Sequence, residues 1–236
     1  MAFRSFNRTF AENNTVMAKH PLWSDEYWLL LMQLYLKKPV GAKALYSRSL
    51  VSLALELHIR PQFLHQQMLR LRQLDTPRME QLWAKYSKSP KRLSQNIERL
   101  RKMKGFGQAN TFYEGVEINE SWEQDFKPIF DSGDSPDKEL TPVHLIMILD
   151  LYFRLTPNTM VAATPEIREL ARHTGLTADK VVEIMDIYQT LDPYLNRTEL
   201  LMSPLVDPCQ EIWQRFGNDN PEKLSALAAQ LKEYFR

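Results

Sequence analysis

Two stretches of the chain align with each other when the sequence is shifted by 117 positions, which lays residues 28–75 on residues 145–192 without a gap. Seven of the 48 aligned positions are identical: Leu34/Leu151, Tyr35/Tyr152, Leu53/Leu170, Ala54/Ala171, Met68/Met185, Leu74/Leu191 and Asp75/Asp192. After an insertion in the second copy, Trp83 aligns with Trp213 and Pro90 with Pro221. An internal repeat constrains the whole architecture, because each copy is one structural unit. We therefore expect a tandem duplication.

The prolines mark where helices begin. Ten of the fourteen prolines directly follow Ser, Thr, Asp or Asn, as in Thr76-Pro77 and Thr164-Pro165. The side chain before such a proline accepts a hydrogen bond from an unpaired amide, and proline at the first helical position loses no needed donor. Apolar residues at three- and four-residue spacing follow nearly all of these pairs. Because glycines are also few, at seven, we predict an all-α fold.

Each copy is predicted to contain five helices. In the basic first copy, residues 23–104, the helices span 24–37, 48–57, 61–74, 77–87 and 90–103. In the acidic second copy, residues 140–236, they span 142–155, 165–173, 178–190, 208–216 and 221–235. The 13 extra residues of the second copy, near 193–206, predict a loop or a short additional turn.

Two further segments flank these copies. Residues 1–22 are expected to form a disordered N-terminal arm without the apolar stretch of a secretory signal. Residues 105–139 connect the copies. The end of this connection is acidic and is expected to be flexible, whereas its middle, residues 112–130, is rich in aromatic side chains and is expected to pack onto one copy.

The net charge of +1 conceals an uneven distribution. Residues 1–104 carry a charge of +12, and residues 105–236 carry −11. Such asymmetry is typical of a basic part that contacts nucleic acid, a membrane or an acidic partner. An alternative stays open at this point: the two parts would face each other and neutralise their charges within the molecule.

Several classes of protein are disfavoured by the sequence. The single Cys209 cannot form an internal disulfide, is expected to be a small buried hydrophobe and suits a reducing, cytoplasmic location. The longest apolar runs, residues 28–32 and 145–149, are too short to cross a bilayer, so no membrane contact is expected. Glycine-rich phosphate loops, nucleophile elbows and metal-binding Cys or His pairs do not occur. We therefore expect no enzyme activity, no cofactor and no metal site.

The segment from Ile167 to Ile184 has the spacing of two helices joined by a tight turn. Such a pair needs a small residue at the contact (Ala171) and a residue that tolerates positive φ at the turn (Gly175). The apolar anchors and the residue expected to cap the second helix follow: Leu176, Thr177, Val181 and Ile184. The segment resembles the helix-turn-helix of DNA-binding proteins, over residues 165–190. The same pattern also occurs in helical proteins that never touch DNA.

The first copy repeats this resemblance over residues 48–74. The matching anchors are Ala54, Ile59, Leu64 and Met68. The pattern departs from the helix-turn-helix at two positions, because His58 stands where glycine is expected and Gln67 stands where an apolar anchor is expected. These departures put the sharpness of the turn in doubt.

The resemblance implies that the helix over residues 61–74 contacts DNA. Its predicted outward side chains are Arg60, Gln62, His65, Gln66, Gln67 and Arg70. Arg fits guanine edges and Gln fits adenine edges in the major groove. Nearby cations would hold phosphates, which provide most of the affinity: Lys85, Lys88, Lys91, Arg92, Arg99, Arg101, Lys102 and Lys104. The same cations would also suit the solvated face of an amphipathic helix.

The corresponding helix of the second copy presents a face that would repel phosphates. Its predicted outward positions are Ala178, Asp179, Val182, Glu183 and Asp186. We therefore expect a protein that binds double-stranded DNA through its basic first copy, with a transcriptional or replication-associated role by analogy. The second copy would serve packing, homodimerisation or partner contact. The alternative is a helical protein-protein interaction or scaffold protein whose basic part meets an acidic partner.

Overall fold

A computed structural model describes residues 20–107, 121–130, 139–195, 197 and 202–236. All regular secondary structure in these residues is helical, which confirms the predicted all-α class. The first half, residues 20–107, contains α1 (Trp28–Leu36), α2 (Arg48–Leu57), α3 (Pro61–Gln73), α4 (Pro77–Tyr86) and α5 (Pro90–Arg101). A short helix follows, α6 (Ser121–Asp125). The second half, residues 139–236, contains α7 (Pro142–Tyr152), α8 (Pro165–Thr174), α9 (Ala178–Leu191), α10 (Val206–Phe216) and α11 (Pro221–Leu231).

The starts of the helices follow the proline and capping signals. Proline occupies the first turn of α3, α4, α5, α7, α8 and α11. Thr177 caps α9 as expected, because its hydroxyl accepts a hydrogen bond from the Lys180 amide at 3.1 Å. The predicted start of α10 is wrong by two residues. The Val206 amide donates to the Ser203 carbonyl at 3.2 Å, and this turn starts the helix before Pro208.

The ends of the helices differ more from prediction. The helix predicted over 142–155 stops at Tyr152. The amides of Arg154 and Leu155 then bond to carbonyls three residues back, at 3.0 and 3.3 Å, and tighten the chain. The helix predicted over 221–235 becomes a 3-10 turn from Lys232 to Phe235. The helix predicted over 24–37 opens with a 3-10 turn over Asp25–Tyr27. The insertion in the second copy begins with a turn over residues 193–195, and residues 196 and 198–201 lie outside the described part.

Each half has its own apolar core. In the first half, α1 packs against α2, α3 and α5, and Leu31, Leu50 and Leu64 are fully buried. In the second half, α7 packs against α8, α9, α10 and α11. Every residue from Val143 to Tyr152 is buried, as expected of a helix that is apolar on all sides. Leu22 and Trp23 pack against the first core, whereas residues 1–19 of the predicted arm lie outside the described residues.

The two halves repeat the same helix pairings. The contacts of α1 with α3 and α5, and of α2 with α3, recur as those of α7 with α9 and α11, and of α8 with α9. The bounds of α2 match those of α8 at the shift of 117 residues. One difference is clear: α10 packs on α7 and α9, whereas α4 packs chiefly on α5. These pairings support the tandem duplication, which stays a prediction.

The junction between the halves is aromatic. Tyr46 of the first half is buried in the second core, where its ring lies 6.0 Å from the ring of Phe126. Phe126 in turn lies 5.1 Å from the ring of Tyr234. Trp122 of α6 packs against both cores. The described part of the predicted aromatic segment therefore does pack onto the helices, while residues 112–120 lie outside the described residues.

The ion pairs of the described residues stay within each half or reach α6. Asp125 of α6 binds Arg215 of α10 at 2.7 and 2.9 Å, and Glu123 of α6 lies 3.1 Å from the Nδ1 atom of His58. Across the described ranges, and leaving Arg60 aside, no Lys or Arg of the first half pairs with a carboxylate of the second half. Mutual neutralisation of the halves through ion pairs therefore has no support in this part of the chain.

Candidate nucleic-acid interface

Helix α3 has an inner and an outer side, as its periodicity predicts. Leu64, Met68 and Leu71 are fully buried against the first core. Arg60, at the start of the helix, and Gln66, six residues further along, are exposed. These two residues therefore lie where a partner can reach them, as expected of an outward face.

The amino-terminal end of α3 lies at the junction with the second half. Pro61 is buried, and the Gln62 amide donates a hydrogen bond to the Tyr46 hydroxyl at 2.6 Å. Gln62, Tyr46 and Phe126 line one small cavity of about 50 Å³. Gln62 is exposed as predicted, but its side-chain amide is already engaged. A base edge would have to compete with Tyr46 for this donor.

Three other predicted side chains of α3 are less available than the sequence implied. Gln67 is buried, with 3% of its surface exposed, so the prediction that it faces outward is wrong. It lies three residues after Leu64, on the inner side of the helix, and accepts a hydrogen bond from Arg70 at 3.2 Å. Arg70 also pairs with Asp75 at 2.8 Å. Burial lowers the pKa of the half-buried His65 imidazole and so favours its neutral form.

A second group of predicted residues forms what we call the basic ridge: Lys85, Lys88, Lys91 and Arg92, from the end of α4 to the start of α5. All four side chains are exposed. In the part of the chain that the structure describes, none of them pairs with a carboxylate. Further along, Arg99, Lys102 and Lys104 are also exposed, whereas Arg101 binds Glu56 at 2.6 and 2.9 Å.

The sequence did not single out Tyr86, which organises this ridge. Its ring is buried, its hydroxyl accepts a hydrogen bond from Asn96 at 3.1 Å, and the ammonium of Lys85 lies 5.2 Å from its centroid. The guanidinium of Arg92 lies 6.0 Å from the same centroid. A cation over an aromatic face is weakly stabilised there. The sequence feature that could have identified Tyr86 is its position between two lysines at the end of an amphipathic helix.

The predicted site residues therefore fall into two groups. The outer side of α3 presents Arg60 and Gln66, and the turn between α4 and α5 presents the basic ridge. Helices α3 and α5 both pack against α1, so one core positions both groups. Fewer side chains of α3 are exposed than predicted, and the ridge is the stronger part of the surface.

The outer face of α9 in the second half is acidic, as expected. Asp179 and Glu183 are exposed, and Glu183 pairs with Lys180 at 2.7 Å. Asp186 is partly buried, and this burial raises the pKa of its carboxyl group. Carboxylates on this face would repel a phosphate backbone, so the two halves present opposite surfaces at corresponding helices.

The remaining chemistry of the described residues is sparse. Cys209 is fully buried, as expected, and burial raises the pKa of its thiol to about 12. Within the described ranges, no group of His, Cys, Asp and Glu side chains is arranged to hold a metal ion. The helices described are all too short or too polar to cross a membrane.

No protein-family model, curated protein or solved structure matches this chain. The function is therefore inferred from the geometry and charge of the surfaces above. Of these surfaces, the basic ridge combines exposure, density of charge and freedom from ion pairing.

Proposed function

We propose that the protein binds double-stranded DNA through the phosphate backbone, with the basic ridge as the main contact. One observation carries this proposal: Lys85, Lys88, Lys91 and Arg92 are exposed together and have no carboxylate partner in the described part of the chain. Cations that contact phosphates release counterions, and this release provides most of the affinity of non-specific binding. Arg60 and Gln66 of α3 would add contacts to the same duplex.

The distribution of ion pairs favours an external partner over internal neutralisation. The two halves meet through Tyr46, Phe126 and Tyr234 rather than through opposite charges. The acidic half then has a separate role, because its exposed carboxylates would keep a bound polyanion on the basic half. A positively charged surface left open in this way is the electrostatic footprint of a nucleic-acid-binding protein.

We expect the protein to show little preference for one base sequence over another. In a helix-turn-helix, which the α2–α3 pair resembles, the start of the second helix contacts base edges. Here Gln62 is bound to Tyr46, Gln67 is buried and Arg70 is paired with Asp75. Gln66 and the exposed Arg60 would supply the base contacts, and because so few side chains are involved we expect binding with little sequence preference. A transcriptional or replication-associated role in the cytoplasm belongs to the same proposal and follows from the resemblance.

The test compares two variants that lose the same charge. Lys88→Gln/Lys91→Gln removes two ridge cations, and Arg172→Gln/Lys223→Gln removes two exposed cations of the second half. Fluorescence anisotropy with a labelled mixed-sequence duplex at low salt measures the Kd of each. We expect the ridge variant to bind about tenfold more weakly than the wild type, and the control variant to bind about as well as the wild type.

Equal weakening in both variants would mean that only net charge matters, and would contradict a ridge-specific contact. Absence of duplex binding by the wild-type chain would leave the alternative function, a helical interaction protein with an acidic protein partner. Far-UV circular dichroism of all three proteins excludes unfolding as the cause of any difference.

A further inference from the structure

A groove of the first half adjoins the basic ridge, because both reach the start of α5, but none of the four ridge side chains lines the groove. It has a volume of about 1080 Å³ and runs between α1, α2, the loop that joins them and the start of α5. Glu233 and Arg236 also line it. Its volume lies slightly above the usual range of small-molecule sites, which is about 300–1,000 Å³. The groove is therefore large enough for a small organic ligand.

One wall of the groove is apolar. Leu34 and Leu36 of α1, Leu53 of α2 and Leu93 of α5 line it. Polar side chains next to these leucines include Gln33 and Ser94. The Gln33 amide donates a hydrogen bond to the Ser94 hydroxyl at 3.3 Å, which joins α1 to α5. An apolar wall with few polar groups is typical of sites for organic ligands.

The rim of the groove is cationic. Among the described residues, six cationic side chains line the groove, against the two carboxylates of Glu56 and Glu233. Both carboxylates are already paired, Glu56 with Arg101 and Glu233 with Arg236. Four cations remain without a carboxylate partner in this part of the chain: Lys37, Lys38, Lys43 and Arg48. The groove therefore carries an excess of positive charge over an apolar wall.

The loop between α1 and α2 fixes one of these cations. The Lys43 ammonium donates hydrogen bonds to the carbonyl of Lys37, at 2.7 Å, and to the carbonyl of Pro39. Burial and the charge of Lys37 lower the pKa of Lys43. The ammonium of Lys37 thus disfavours the charge of Lys43, and an anion bound beside Lys43 would relieve this repulsion.

The start of α2 adds hydrogen-bond donors at the same place. Ser47, Ser49 and Ser52 line the groove. Ser47 precedes the first residue of α2, and its hydroxyl oxygen is buried without a hydrogen-bond partner. The Leu50 and Val51 amides bond to the Ser47 carbonyl, so the helix begins here with the positive end of its dipole.

We propose that this groove binds a small organic anion with a phosphate head group and an apolar body. The phosphate would lie at the start of α2, against Lys37, Lys38 and Arg48, and the body would lie along Leu34 and Leu53. This site goes beyond the proposed DNA contact and does not depend on it.

The test is a calorimetric titration of the full chain with hexyl phosphate, with inorganic phosphate and hexanol as the two half-ligands. Lys37→Gln/Lys38→Gln removes two exposed rim cations, and Ser52→Trp fills the groove from an exposed position on α2. Arg172→Gln/Lys223→Gln in the second half is the matched charge control. We expect hexyl phosphate to bind more tightly than either half-ligand, and each groove variant to bind it at least about tenfold more weakly.

Three results would overturn the proposal: hexanol binding as tightly as hexyl phosphate, unchanged affinity in the lysine variant, or no binding of hexyl phosphate to the wild type. Tighter binding of a hexaglutamate peptide than of hexyl phosphate would also overturn it, in favour of an acidic protein partner. Because the exposed lysine variant is expected to fold, it decides the question if Ser52→Trp is unstable. The titration contains no DNA, so its outcome is separate from that of the duplex experiment.

Discussion

His58 and Gly175 hold the same left-handed backbone conformation at the end of the first helix of their pairs. His58 ends α2 with φ 54° and ψ 37°, and Gly175 ends α8 with φ 80° and ψ 10°. The two positions are 117 residues apart, which is the shift that aligns the two copies. The same turn conformation therefore occurs with a histidine in the first half and with a glycine in the second half. The doubt that His58 raised about the sharpness of this turn is resolved.

The conformational strain of this turn can be measured by comparing two substitutions at His58. His58→Ala and His58→Gly both remove the contact with Glu123, but only alanine keeps a Cβ atom in the left-handed region. We expect His58→Ala to be about 1 kcal/mol less stable than His58→Gly in urea unfolding. Equal stability of the two variants would show that the turn is not strained.

Gly175→Ala tests the corresponding turn. A Cβ atom at Gly175 would meet nothing within 4 Å, so the cost is conformational and not steric. We expect a loss of about 1 kcal/mol in the free energy of unfolding. A loss several times larger would mean that the two helices approach more closely than the structure shows.

Acid should destabilise the second half through His144. Burial lowers the pKa of His144 to about 4, although hydrogen bonds to Thr174 and Thr141 and the charge of Glu139 oppose this. Between pH 6.5 and pH 4 His144 is protonated in the unfolded chain and neutral in the folded chain. The free energy of unfolding therefore falls as the pH falls. The full effect is at most about 3 kcal/mol and levels off below pH 4.

The control for this effect keeps the helix cap. The Nδ1 atom of His144 accepts from the Thr141 amide at 3.0 Å, and glutamine at the same position forms a similar capping box without titrating. We expect His144→Gln to lose less stability than the wild type between pH 6.5 and pH 4 in urea unfolding. If both proteins lost the same stability between pH 6.5 and pH 4, the role of His144 would be contradicted.

The aromatic junction should contribute strongly to stability. Phe126 is 7% exposed and contacts the rings of Tyr46 and Tyr234. We expect Phe126→Ala to lower the free energy of unfolding by about 3 kcal/mol. Phe153→Ala, at a residue 37% exposed at the end of α7, is the control and should cost clearly less. A similar cost for both would mean that the junction contributes no more than a surface contact.

The thiol of Cys209 should be inert in the folded protein. It is fully buried, and burial raises its pKa to about 12, so almost no thiolate forms at pH 8. We expect a thiol reagent to modify Cys209 rapidly in denaturant and only very slowly without it. Equal rates in both conditions would contradict its burial.

Most helix starts were predictable because their signals are local. A capping residue and the proline after it act within one turn, as at Thr76 and Pro77, where the threonine hydroxyl accepts from the Met79 amide at 3.4 Å. Helix ends were less predictable because packing decides where the last turn tightens, as after Tyr152. The buried aromatic contacts of Phe126 required the tertiary structure.

The sequence predicted which side chains of the candidate site are exposed, but it did not predict which of them form hydrogen bonds or ion pairs. Helical periodicity placed Arg60 and Gln66 on the outer side of α3. It could not show that Gln62 binds Tyr46, sixteen residues earlier, or that Arg70 pairs with Asp75 beyond the end of the helix. Such contacts depend on where the chain before and after the helix packs against it, and the periodicity of the helix gives no information about that packing.

The most direct test of the central claim is the salt dependence of duplex binding by the full chain. Kd is measured by fluorescence anisotropy across a range of NaCl concentrations for the wild type and for a variant with glutamine at Lys85, Lys88, Lys91 and Arg92. Each phosphate contact adds about 0.9 to the slope of log affinity against log salt, so losing four contacts should make the slope shallower by about 3.6. Identical slopes for the two proteins, or no binding by the wild type at low salt, would contradict a DNA contact through the basic ridge.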